Sequence, residues 1–300
     1  MSIIPFDDRD GFIWYDGGLV PWREAKLHVL THGLHYASCV FEGERVYNGS
    51  VFRLEDHNQR LINSAKILGF EIPASMDDLK KATEEVVAAN KIVDGYVRPV
   101  AWRGAEQMGV SAQASKIHLA LGCWEWPAYF SPEARAKGIR MCWSKWARPA
   151  PHTAPTAAKA AGLYMICTLS KHAAEADGFD DALMLDWRGL LAEATGANIF
   201  LVINGELHTP TPDCFLDGIT RKTAIGLARA RGIKVIERAI QPQELAQASE
   251  VFLTGSAAEI TPVGEIVGEH GNFRFTPGTI SRLMWEDYDR TVGKRVATAA

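Results

Sequence analysis

The spacing of apolar and polar residues divides the chain into short strands and medium helices. Aromatic and β-branched residues at 12–15, the turn Asp16-Gly17-Gly18 and the return at 19–21 predict a hairpin. Asn48-Gly49, set between 45–47 and 51–53, predicts a second, because Asn-Gly suits the positive φ angles of a two-residue turn. A period of 3.6 then takes over. Leu61, Ala65 and Leu68 form one stripe of a helix over 55–68. Leu79, Ala82, Val86 and Val87 share a face of the next helix, opened by a Ser75/Asp78 capping box. Strands follow at 96–102, where Pro99 predicts an edge or a bulge, and at 117–122.

An aromatic cluster interrupted by Pro127 (Trp124, Trp126, Tyr129, Phe130) ends this half. The second half opens with a strand at 139–143 and passes through Pro149, Pro151 and Pro155 to a helix over 163–176. A strand at 181–186, an Asn204-Gly205 hairpin joining 198–203 to 207–209, and a helix over 219–231 stopped by Gly232 come next. Strands at 234–240 and 250–254 and a helix at 277–292 close the chain. Without a strict βαβ alternation, the pattern predicts α+β architecture in two domains, 1–126 and 139–300, with a linker over 127–138.

Composition keeps this picture and removes some functions. The 300 residues are 47% hydrophobic and 23% charged, with net charge −4, so there is no basic footprint for nucleic acid. The five cysteines are odd in number, widely spaced and never in a C-x-x-C pair, which suits reduced core residues of a cytoplasmic protein. No signal peptide and no apolar run long enough to span a membrane is visible. Glu24, His28, His32 and His35 have near-helical spacing, but Gly33 disturbs a helix there and H-E-x-x-H is absent; no metal is expected. G-x-G-x-x-G, P-loop and G-x-S-x-G motifs are also absent.

Five features carry candidate chemistry. Lys159, in Thr-Ala-Ala-Lys-Ala-Ala-Gly-Leu-Tyr, has only small neighbours and no acid within four residues. The window suits either a solvated lysine or a Schiff-base amine whose pKa an apolar site would lower. Gly218-Ile219-Thr220 precedes a helix and reads as a plain N-cap or an anion cradle. Thr254-Gly255-Ser256-Ala257-Ala258 reads as a tight turn or a nest of N–H groups. Arg60 on its helix suits solvent or a phosphate, and Glu193, an acid in small and apolar company, suits a loop backbone or a heterocycle nitrogen.

Taken in order, these pieces resemble the branched-chain amino acid aminotransferases, fold-type IV pyridoxal-phosphate enzymes with a D-amino acid aminotransferase-like fold. The resemblance runs through Ala25-Lys26-Leu27-His28-Val29 to His35-Tyr36, Val40-Phe41-Glu42-Gly43-Glu44-Arg45, His57-x-x-Arg60-Leu61 and Tyr96-x-Arg98-Pro99. It continues through Thr156-Ala157-Ala158-Lys159, Glu193, Gly218-Ile219-Thr220-Arg221 and Gly255 to Pro262. It implies that Lys159 is the Schiff-base lysine on the larger C-terminal domain, and that Arg60, Ile219, Thr220 and Ser256 hold the phosphate of pyridoxal 5'-phosphate. It implies Glu193 at the pyridine nitrogen and Tyr164 near the ring oxygen. Tyr36, Phe41, Tyr96, Arg98, Trp126, Tyr129 and Ala257 correspond to the substrate pocket, and a homodimer is the implied minimum. The implied reaction is ping-pong transfer of the amino group of leucine, isoleucine or valine to 2-oxoglutarate; D-amino acid and R-selective amine transaminases, and an aminodeoxychorismate lyase, are alternatives on the same fold. Leu163, Glu44 and Asp217 depart from the family pattern and leave the preferred amino acid open.

Overall fold

The computed structural model describes residues 4–126 and 132–294. Two compact units divide the chain: Met1–Pro127 with Ala158–Gly162, and Ala128–Ala157 with Leu163–Ala300. The N-terminal unit runs β1 (Phe12–Tyr15), β2 (Gly18–Pro21), α1 (His32–Tyr36), β3 (Cys39–Phe41), β4 (Glu44–Tyr47), β5 (Ser50–Val51), α2 (Leu54–Ile67), α3 (Met76–Ala89), β6 (Gly95–Arg103) and β7 (Ile117–Glu125). Its seven strands form one sheet in the order β2-β1-β7-β6-β4-β5, with β3 also on β6. The apolar stripes of α2 and α3 (Leu61, Ala65, Leu79, Val86) pack with Val46, Val97, Ala101, Leu119 and Leu121 of the sheet. Each buried leucine or valine among them contributes about 1.5–3 kcal/mol relative to exposure.

Strand alternation assigns the two faces of β6. Val97 and Ala101 enter the core, so Tyr96, Arg98 and Val100 leave on the other side. Pro99 lies in the middle of the sheet, not at its edge. Its carbonyl accepts the Glu42 N–H at 2.9 Å, and its missing donor falls where β3 gives way to β4, between the Phe41↔Val100 and Glu44↔Val97 pairs. The break that accommodates the proline is therefore the Glu42-Gly43 step.

The C-terminal unit runs α4 (Pro132–Lys137), β8 (Ile139–Trp143), α5 (Met165–Ala176), β9 (Asp181–Leu185), β10 (Leu191–Ala194), β11 (Asn198–Ile203), β12 (Glu206–Pro210), α6 (Ile219–Ala230), β13 (Val235–Arg238), β14 (Glu250–Gly255), β15 (Glu259–Val267), β16 (Phe273–Arg274) and α7 (Thr279–Thr291). The sheet order is β10-β9-β8-β15-β14-β11-β12-β13, and a β10–β11 pairing closes six of these strands into a ring. Ile139, Met141, Leu183, Ile199, Leu253 and Val263 fill the core.

Three differences from the pattern-based expectation have physical causes. Residues 132–137, expected as linker, form α4. Glu193, read as a loop acid, sits in β10, too short a strand to show a period of two. The Lys159 segment, expected with the C-terminal domain, clusters with the N-terminal unit. There Lys159 O accepts from Phe41 N at 3.1 Å, Lys159 N donates to Ser64 Oγ at 2.9 Å, and Ala160 bridges Val40.

Helix α7 begins without a side-chain cap of its own. Buried Glu250 of β14 replaces it, accepting the N–H groups of Gly278, Ile280 and Ser281 and the Ser281 hydroxyl at 2.6–3.1 Å. Glu250→Ala should lower stability by roughly 3 kcal/mol in a denaturant titration, because four donors, the two of Ser281 fully buried, lose this acceptor. A change within about 0.5 kcal/mol, the usual range for surface substitutions, would remove Glu250 from this role.

Candidate active site

The Glu42-Gly43 break opens beside Lys159. Glu42 is wholly buried. Arg60 of α2 donates Nε to Glu42 Oε1 at 2.6 Å and Nη2 to Oε2 at 2.8 Å, and His57, one turn earlier, donates Nδ1–H to Oε2 at 2.7 Å. Burial opposes ionisation of Glu42, but the Arg60 charge, its two bonds and the His57 bond outweigh it and hold the carboxyl well below its ordinary range. Burial also pulls the His57 imidazole below its ordinary range. A neutral ring with its proton on Nδ1 suits a carboxylate that only accepts.

Lys159 is half-buried, its Nζ 5.0 Å from the Phe41 ring centroid. Burial first, then the positive charge of Arg60, holds its amine below the usual lysine range. Arg98 lies over the same Phe41 ring at 4.9 Å and over Tyr96 at 5.5 Å; its buried Nε finds no hydrogen-bond partner among the described residues. Tyr96 packs on Trp126 at 4.9 Å, and Arg45 of β4 fixes that tryptophan by donating to its carbonyl at 2.9 Å. A Cβ at Gly43 would stand 1.9 Å from the Tyr96 hydroxyl, so only glycine lets this ring lie where it does. An apolar cavity of about 390 Å³, walled by Arg98, Trp102 and Trp124 among others, continues along this face of the sheet.

The C-terminal unit holds the other candidates. Glu193 is buried and pairs across β10–β11 with Asn198, whose Nδ2 donates to Glu193 Oε2 at 3.2 Å and to Leu216 O at 3.0 Å. Arg148 Nε faces Glu193 Oε1 at 3.4 Å. Burial works against the Arg148 charge, but Glu193 and weaker neighbours, Tyr164 among them, keep its pKa raised. Asn198 also reaches α6: a Cβ at Gly218 would lie 2.2 Å from its Oδ1. Gly218 at the N-cap has no side chain to cap α6, which suits the N–H groups at Ile219 and buried Thr220 to an anion. Asn198 pairs on its other side with Thr254, two residues before Ser256, so Glu193, the α6 N-terminus and the Thr254–Ala258 turn meet at one end of the sheet.

The structure thus gathers Lys159, Arg60, Phe41, Tyr96, Arg98 and Trp126 in one unit, and Glu193, Tyr164, Ile219, Thr220, Ser256 and Ala257 in the other. Tyr36 stands apart, exposed and stacked on His32 at 4.7 Å. Tyr129 lies outside the described residues. Glu42, Arg45, Arg148 and Asn198 were not expected as site residues. Glu42 alone left a local signal, an acid in an otherwise apolar run before a glycine. The histidines engage backbone: His32 Nε2 meets Gly109 O and His35 Nε2 meets Val29 O, while His28 Nδ1 accepts from Leu30 N.

A chain with these two groups of side chains has known relatives. Residues 39–266 match the amino-transferase class IV family, and the chain belongs to that family. A branched-chain-amino-acid aminotransferase of Pseudomonas aeruginosa is 41% identical over 97% of this chain and 96% of its own length. Among solved structures, a branched-chain aminotransferase from Thermoproteus uzoniensis with norvaline superposes with a TM-score of 0.88 at 38% identity, covering 94% of each chain. A branched-chain amino acid aminotransferase from Thermobaculum terrenum, solved in its PLP-bound holo-form, gives a TM-score of 0.84 at 32% identity, covering 94% of this chain and 93% of its own.

The depressed amine is directly measurable. In the protein freed of cofactor, the pH of half-reaction of Lys159 with acetic anhydride, followed by peptide mass, should lie below that of exposed Lys80 and Lys91. Arg60→Gln should move it upward, since a repelling charge is removed. Equal midpoints for all three lysines would contradict the electrostatics described.

Proposed function

We propose that this chain transfers the amino group of leucine, isoleucine or valine to 2-oxoglutarate by ping-pong transamination, with pyridoxal 5'-phosphate as cofactor. The observation that carries the reading is a lysine amine with depressed pKa beside an arginine locked by a buried carboxylate. The residues fit the cofactor. Glycine at 218 leaves room at an uncapped helix start, and the donor set comprises a guanidinium, backbone N–H groups, a buried carboxylate and an amine.

In this reading Arg60, Ile219, Thr220 and Ser256 hold the phosphate, Glu193 faces the ring nitrogen and Tyr164 the ring oxygen. Bound pyridoxal phosphate supplies an aldehyde that condenses with amines and a ring that draws electrons from the substrate Cα. Lys159 Nζ, deprotonated more readily than a solvated lysine, accepts the proton from Cα and then donates it, base first and acid second. Glu193, paired with Arg148, accepts a hydrogen bond from a protonated ring nitrogen. Glu42 does not touch the reacting atoms; it orients Arg60.

Tyr36, Phe41, Tyr96, Arg98, Trp126, Tyr129 and Ala257 bind substrate. The aromatic faces receive branched side chains, and Arg98 receives the second carboxylate of glutamate or 2-oxoglutarate; its buried Nε, unpartnered among the described residues, supports this. The enzyme is at least a homodimer, supported by the neighbouring exposed apolar residues Val29, Leu30, Leu34 and Tyr36. It works in the cytoplasm, supported by five free cysteines.

Lys159→Ala should lose the absorbance of the lysine-linked cofactor before any amino acid is added, with transamination reduced by at least about 10³-fold. The native enzyme should give parallel double-reciprocal lines and turn over leucine, isoleucine and valine ahead of D-alanine and 1-phenylethylamine. D-alanine as the best donor would sink the substrate assignment. Sedimentation should show a dimer or larger, and Leu34→Glu should weaken it; a monomer at micromolar concentration would refute the assembly.

A further inference from the structure

The turn that carries Ser256 and Ala257 ends on a residue in a costly conformation. Glu259 resumes the ladder at the start of β15, opposite Gly255, with φ at 55°. A Cβ is crowded in this left-handed region, and a hairpin usually fills such a position with glycine or asparagine. Among the described non-glycine residues with positive φ, Glu259 alone is buried. An unfavourable backbone state kept inside the protein points to something that its side chain supplies.

Two cations hold that side chain. Arg135 of α4 donates Nη2 to Glu259 Oε2 at 3.4 Å and Nε to the next carbonyl, Ile260 O, at 3.1 Å. Lys294, beyond α7, donates Nζ to Glu259 Oε1. Both cations are themselves held by α7. The Arg135 guanidinium lies over the Trp285 ring at 4.2 Å. Asp289 accepts from Trp285 Nε1 at 2.5 Å and stands 3.9 Å from Arg135 and 4.0 Å from Lys294. Two cations thus face two carboxylates, all largely sheltered from water, where removing one member leaves the others poorly answered. The residue before Glu259 is tied as well: Thr261 Oγ1 donates to Ala258 O at 2.6 Å.

We propose that Glu259 is a positioning residue for the Ser256-Ala257-Ala258 turn. Clamped by Arg135 and Lys294, its carboxylate fixes the returning leg of the turn, while β14 fixes the outgoing one. The backbone N–H groups and the Ser256 hydroxyl are then held in one arrangement before a ligand arrives. Glu259 acts only through the turn. The proposal rests on the assignment of Ser256 to the cofactor phosphate and of Ala257 to the substrate.

The test uses holoenzyme: wild type, Glu259→Gln, Glu259→Gly, Arg135→Met and the double variant Arg135→Met/Glu259→Gln. Equilibrium dialysis gives the Kd of pyridoxal phosphate, initial rates give KM and kcat for leucine, and melting midpoints show that each variant folds. Glutamine keeps the shape and loses the charge; glycine relieves the backbone and loses the side chain. Each single variant should raise both Kd and KM about tenfold, with kcat falling less than about threefold, and the double variant should match the worse single one.

Retention by Glu259→Gly equal to wild type would overturn the proposal, because a turn that needs only a left-handed residue gains from glycine. Wild-type Kd and KM in variants whose melting midpoints fall would also overturn it, leaving the clamp to hold α4 and α7 to the sheet. Effects that multiply in the double variant would break the link between Arg135 and Glu259. Should both Glu259 variants fail to fold, Arg135→Met, which leaves the turn's own residues intact, carries the same expectations. Ser256→Glu keeps the two readings apart, since a carboxylate there should repel phosphate. Its retention of cofactor at the wild-type level would overturn the phosphate assignment and the proposal with it. Loss in Ser256→Glu beside wild-type values in the Glu259 variants would overturn the proposal alone.

Discussion

A carboxylate buried without water must be answered by donors that cannot leave, and Glu42 shows what this requires. It accepts two bonds from Arg60 and one from His57, sent from one face of α2, and a longer fourth from the Gly43 N–H at 3.3 Å. The helix is therefore held to the sheet by charge as well as by its apolar stripe, and Arg60 loses the freedom of a surface arginine. Breaking such a pair is expensive because the remaining charge stays buried. The same constraint sets the environment of Lys159, since an immobile guanidinium nearby is a permanent reason for the amine to shed its proton. One interaction thus links the packing of a helix to the acid–base state of the reactive group.

Much of this was legible in the sequence because it depends on period and turn chemistry. Both Asn-Gly hairpins formed, the Ser75/Asp78 box caps α3, and the stripes of α2 and α3 line the core. What escaped has a common cause. Pro99 predicted an edge or a bulge because a proline lacks a donor; the strand is central, and the irregularity lies in its neighbour, at the break between β3 and β4, which is a tertiary fact. Glu193 could be singled out as an acid in apolar company, but Asn198 meets it through the β10–β11 register, and Arg148, distant in the chain and outside the strands, only through tertiary packing.

The C-terminal unit supports its candidates differently. No single charge dominates there. Asn198 ties the Glu193 carboxylate to the backbone before α6, so the acid and the helix start share one amide as a common reference. Gly218 keeps the approach close. Asp217, one of the departures from the family pattern, turns away to pair with Arg221 and Lys222 and leaves this arrangement untouched.

The return of Ala158–Gly162 to the N-terminal unit has a consequence for how the chain matures. During synthesis, β1 to β7 emerge complete, yet Phe41 N–H, Ser64 Oγ and the Val40 backbone still await a segment that lies beyond residue 157. The unit cannot finish folding from its first continuous segment; it must hold that seam open until the ribosome has delivered 158–162, which follow the first part of the other unit in the chain. A chain released after residue 130 would leave an almost finished sheet with an unfilled edge beside Val40, the kind of species that chaperones recognise.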